Sequence, residues 1–125
     1  METEPEVFPS PSLETINEQI ANLKEGLIRS IMLEGEEEAL LIISYSPGLG
    51  FYLTARQADE SCESVLIDKD LGVAPTNGKV AGLLDVQPRC VFVSEELMRA
   101  SVEEFYEAGT RYNKAMWREP TKMLK

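Results

Sequence analysis

The stretch ALLIISYSPGLGFYLTAR, residues 39–56, decides the fold class. In ALLIISY both alternating sets of positions are apolar, which predicts a central strand covered on both sides. PGLG, residues 47–50, is turn chemistry. FYLTAR, residues 51–56, is then the returning strand of a hairpin. Upstream, SIMLEGEEEALLIISYS predicts two strands, over 29–34 and 38–45, joined by a turn at Gly35. Downstream, SVLI is a short strand and Asn77–Gly78 is a turn signal. Hairpin-like pairing resumes with KVAGLLDV, and RCVFV after Pro88 is one more short strand.

Helices bracket this run. Residues 1–10 carry Pro5 and Pro9 and read as an acidic leader without regular structure. Ser10 or Ser12 can then cap a helix whose apolar face is Ile16, Ile20, Leu23 and Leu27, with Gly26 near its end. Ser94 is the N-cap of a second helix, and Glu95 and Glu96 complement its positive pole. Leu97, Ala100, Ser101, Phe105 and Ala108 share one face of it, and Gly109 suits its end. YNKAMW brings the only tryptophan, Trp117, as a final short strand or a tail packed on the sheet. The order helix, strands, helix, tail predicts an α+β fold, a mostly antiparallel sheet with an N-terminal and a C-terminal helix packed on it. After the leader, residues 11–125 read as one domain.

Composition narrows the chemistry. There are 22 acidic and 12 basic side chains, a net charge of −10. Such a surface repels nucleic acid and anionic membrane and attracts a basic protein. There is no histidine. A Ser–His–Asp triad, a Cys–His pair and an HExxH metal site are therefore excluded. Cys62 and Cys90 form no CxxC and cannot make a four-ligand zinc site. Cys90, in the apolar run CVFV, is expected in the core, and Cys62 as a free thiol. Neither a signal peptide nor an apolar run of membrane-spanning length is apparent, so the expected compartment is the cytoplasm.

Two acidic groups are candidate partner contacts. One is the run Glu36, Glu37 and Glu38 at a hairpin tip, with a solvated turn as its plainer reading. The other is Asp59, Glu60, Glu63, Asp68 and Asp70, in the least regular part of the chain. It is not an EF-hand: with Asp68 at position 1, Gly72 falls at 5 and Lys79 at 12. PGLG lacks the GxxxxGK[ST] pattern of a phosphate loop. Among Tyr45, Phe51 and Tyr52, most are expected in the core, and Tyr52 is the candidate aromatic anchor for a partner. No residue is a candidate catalytic group, metal ligand or cofactor contact.

Several segments together resemble immunity protein family 1 of bacterial polymorphic toxin systems, over about residues 29–119. They are ALLIISYSPGLGFYL, then GLLDVQPRCVFVSEELMRASVEEFYEAGTR, then AMW. Family members often carry paired glycines before the glutamine of the turn, where this chain has Asp85–Val86 before Gln87. The resemblance implies a non-enzymatic inhibitor that binds a cognate toxin one-to-one and blocks its active site. The toxin implied is a zinc-dependent nucleic-acid deaminase. An acidic protein complements the basic channel such an enzyme needs for its polyanionic substrate. The expected contacts are Glu36, Glu37, Tyr52, Asp59, Glu60, Glu63, Asp68 and Asp70, with neither nucleic acid nor membrane as partner. Two other classes fit the charge: an acidic secretion chaperone or regulatory adaptor, and a small enzyme working through paired carboxylates.

Overall fold

A computed structural model describes residues 6–8, 13–35, 39–56, 64–68, 70–80, 83–108 and 116–118. In chain order the elements are β1 (Glu6–Phe8), α1 (Leu13–Lys24), β2 (Ile31–Glu34), β3 (Leu40–Ser46), β4 (Gly50–Arg56) and β5 (Ser64–Ile67). They continue with β6 (Pro75–Val80), β7 (Leu83–Pro88), a 3-10 turn (Arg89–Val91), α2 (Glu95–Ala108) and β8 (Met116–Arg118). Six strands form one sheet in the order β1-β2-β3-β4-β5-β8, and β6 and β7 form a separate pair. Every pairing is antiparallel except β1 with β2. The α+β expectation, with one helix before the main strands and one after, describes this architecture.

β3 lies between β2 and β4, as its two apolar faces require. Register sorts its side chains. Ile31 faces Ile43, Ile43 faces Leu53, and Leu41 lies between Leu33 and Ala55. All are buried in one core with Ile16, Ile20 and Leu23 of α1 and Met98, Val102 and Phe105 of α2. Both helices therefore cover the same face. The opposite face carries Ser44 opposite Tyr52 and, on β5, Val65 and Ile67. A second core forms there from Val65, Ile67, Cys90, Val91 and Phe92, with Tyr52, Leu49 and Val80 packed against it. The molecule is thus helices, sheet, and a smaller layer made by the 3-10 turn and the β6–β7 hairpin.

Helix ends follow local chemistry. Ser94 Oγ accepts the Leu97 N–H at 3.2 Å, the expected N-cap. At the end of α1, Leu27 N donates to Asn22 O and Gly26 N to Leu23 O, with Gly26 at φ 80°. This Schellman closure turns the chain out of the helix. Leu27 consequently leaves the apolar stripe in which it was expected and is exposed. In α2 the buried face is Met98, Ser101, Val102 and Phe105, with Leu97 half-buried and Ala108 exposed, a rotation from the face expected. Lys24 Nζ and Arg99 Nε each hold Glu95 at 2.9 Å, and Arg99 Nη1 also donates to Asn17 Oδ1 at 2.6 Å. These bonds clip α2 to α1. Among the described residues no helix is long and apolar enough to cross a membrane.

Three further expectations are corrected. The prolines of residues 1–10 predict a leader without regular structure, whereas Glu6–Phe8 pairs in parallel with β2. A parallel neighbour needs a crossover, and α1 is that crossover. β1 contains no proline and is an edge strand. Asn77–Gly78 is not a turn but the middle of β6, paired with Val86 and Asp85. The last pair of this hairpin is Val80 with Leu83. RCVFV is not a strand: Arg89–Val91 is a 3-10 turn, and Val93 alone bridges to Phe51 through two 2.8 Å bonds. A Cβ on Gly50 would overlap the Val93 carbonyl, so glycine permits that bridge.

Candidate protein-interaction surface

The β6–β7 hairpin is fastened to the body along its inner side. The ring of Phe92 occupies the space a Cβ at Gly78 would need. Lys79 N donates to Ser46 Oγ at 2.9 Å, tying β6 to the end of β3. At the base, Arg89 N donates to Ala74 O and Cys90 N to Gly72 O, both at 2.9 Å. Asp68 N in turn donates to Cys90 O at 2.9 Å, which joins the end of β5 to the same knot. Cys90 is buried, and burial above all raises its thiol pKa, so the group is a protonated core residue as expected.

Alternation then fixes what faces away. Gly78 points at Phe92, so its partner Asp85 lies on the inner side. Leu84 and Val86 lie on the outer side, opposite Lys79 and Asn77. Leu84 is 74% and Val86 61% exposed, and Leu83, at the tip, is 66% exposed. Val73, in the segment leading into β6, is 71% exposed. Solvent exposure of apolar residues grouped on one projecting element is what marks an interaction surface, whereas single exposed leucines mean little. Carboxylates flank it. Asp85 holds the Val86 N–H on Oδ1 at 2.9 Å and Gln87 Nε2 on Oδ2 at 2.8 Å. Asp70 is exposed at the base.

The residues expected to contact a partner are placed only in part. Glu36, Glu37, Asp59, Glu60 and Glu63 lie outside the described residues, as does Cys62. Asp68 is half-buried and its Oδ1 accepts the Asp70 N–H at 3.0 Å, an Asx turn that shapes the loop. Tyr52 is half-buried on the sheet face under the hairpin, its ring centroid 6.1 Å from that of Phe92. Part of its ring is thus covered, and the apolar side chains most open to solvent on the hairpin are Leu83, Leu84 and Val86. The pattern Leu83–Leu84 was the available signal: two adjacent apolar residues in a strand cannot both face one core.

No protein-family model, curated protein or solved structure matches the chain. Among the described residues no group of three His, Cys, Asp or Glu side chains could hold a metal ion. What the hairpin offers is a fixed apolar surface with carboxylates beside it, suited to burial against another protein.

Proposed function

We propose that this chain is an immunity protein, which binds a cognate toxin one-to-one and blocks its active site. The toxin is a nucleic-acid deaminase with a zinc-activated water at the floor of a basic channel. The observation that carries the reading is the hairpin, whose Leu83, Leu84 and Val86 project into solvent from an otherwise acidic protein. Burial of those side chains supplies affinity, while the net charge of −10 speeds the encounter with a basic partner. A polyanion-like surface enters a substrate channel without offering a base to deaminate. The order of strand, Gln87–Pro88, α2 and Trp117 adds the resemblance to immunity protein family 1.

Co-purification with the product of the neighbouring gene, followed by a deaminase assay, tests the proposal. The expected result is a stable complex and toxin activity that falls to background at equimolar protein. Undiminished activity at a stoichiometric excess sinks it.

A further inference from the structure

The reading as a toxin-binding protein leaves open which part of the chain enters the partner. Building on it, we propose that the outer face of the β6–β7 hairpin, centred on Leu84 and Val86, is the anchor. Its occupant is an apolar depression on the toxin, rimmed by cationic side chains.

Three features lead there. First, the hairpin is already held in place by Gly78 against Phe92, by the Lys79–Ser46 bond and by the knot at Arg89 and Cys90. A fixed element loses little conformational freedom on binding. Second, strand addition along β7 is blunted. The Val86 N–H is held by Asp85, and Pro88 has no N–H to give. The side-chain face is what remains available. Third, charge selects the occupant. The outer face pairs Leu84 with Lys79 and Val86 with Asn77, so its two apolar side chains lie beside exposed side chains that keep their polar ends in water at the rim. Asp85, next to Leu84 and Val86 in sequence but on the inner side of the strand, and Asp70, before the hairpin, are both exposed and add to the net charge of −10. A second copy of this chain would bring another −10 body and another Asp85 to the same contact. A cationic rim meets these carboxylates instead, and Lys79 can swing aside on its flexible stem.

The test uses the full chain and the toxin domain encoded beside it, with the catalytic glutamate of that domain replaced. Titration calorimetry gives Kd for wild type, for Leu84→Ser/Val86→Ser and for Asp85→Asn, and thermal melts run in parallel. The double variant is expected to weaken binding by about 100-fold with its melting temperature kept, because the changed residues are exposed. Asp85→Asn is expected to raise Kd several-fold at low salt and by less at high salt, and an unchanged Kd at low salt would overturn the cationic rim. Wild type that binds the toxin while the double variant binds within threefold of it overturns the hairpin anchor and leaves the function standing. Wild type that fails to bind the toxin at all overturns the function and the anchor with it. Sedimentation of the free chain adds a further arm: a wild-type dimer that the double variant makes monomeric assigns the face to a second copy and overturns the proposed occupant.

Discussion

On one face of the six-stranded sheet, α1 and α2 lay Ile16, Ile20, Met98 and Val102 over Ile31, Leu41, Ile43 and Leu53. Each of these is essentially sealed from water. On the other face the hairpin lays Gly78 and Val80 against Phe92 and its cluster, then leaves Leu83, Leu84 and Val86 outside. The same sheet is closed twice, once by helices that bury their apolar stripes and once by an element that packs Val80 inward but leaves Leu83, Leu84 and Val86 in water. Apolar side chains grouped in water on one element are the candidate contacts for a partner.

The bridge that ties β4 to the segment after the 3-10 turn is the place to break this contrast most severely. Gly50 sits at φ 134°, and a Cβ there would run into the Val93 backbone. Gly50→Ala is expected to cost about 4 kcal/mol or more, from backbone strain and the lost bridge to Phe51. Chemical denaturation followed by the single tryptophan measures it; a loss under about 1 kcal/mol would mean the bridge is dispensable. Next, Ile43→Ala empties a fully buried site and is expected to cost about 3–4 kcal/mol. Leu84→Ala on the other side of the contrast should stay within about 0.5 kcal/mol of wild type. Equal losses at Ile43 and Leu84 would erase the distinction between the two closures. Trp117 is half-buried, pairs with Leu66 and packs on the helix-side core, so Trp117→Ala falls between them at about 2–3 kcal/mol. Since the variant lacks the fluorophore, circular dichroism follows its unfolding.

The smallest expected effect is electrostatic. Glu95 is held by Lys24 first and Arg99 second, and both lower its pKa from the ordinary 4.5. A carboxylate with a depressed folded pKa stabilises the fold above its unfolded pKa, and that stability is lost as pH falls through the folded value. All three side chains are more than a third exposed, so solvent screening keeps the contribution near about 0.5 kcal/mol. Glu95→Gln should therefore be slightly less stable at neutral pH and indistinguishable from wild type once pH drops below the folded pKa. A difference that grows on acidification contradicts the clip.

What could be read from the chain was what depends on neighbours in sequence. The alternation in residues 39–56, the Ser94 cap and the stripe Ile16, Ile20, Leu23 are local patterns, and each element stands where its pattern put it. The misreadings share a cause in distant partners. Gly78 reads as a turn because Asn–Gly usually is one, but the ring that demands a glycine there belongs to Phe92. Arg89–Val91 reads as strand from composition, while bonds to Gly72 and Ala74 coil it. β1 depends on α1 crossing over to set it beside β2. Of the candidate contacts, only Asp68, Asp70 and Tyr52 fall among the described residues, and Tyr52 turned to Phe92. KVAGLLDV predicts hairpin pairing without saying which face is covered; the register against Gly78 is what turns Leu84 and Val86 outward.

Amide hydrogen exchange, with and without the toxin domain, tests most directly that the hairpin is a binding element on a self-sufficient fold. In the free chain the amides of β3 and β4 should exchange only on global unfolding, and those of β6 and β7 through cheaper local opening. Adding the toxin should slow exchange in β6 and β7 and leave β3 and β4 as they were. Protection that instead appears along α1 and α2, with the hairpin unchanged, would place the partner on the opposite face and contradict the account.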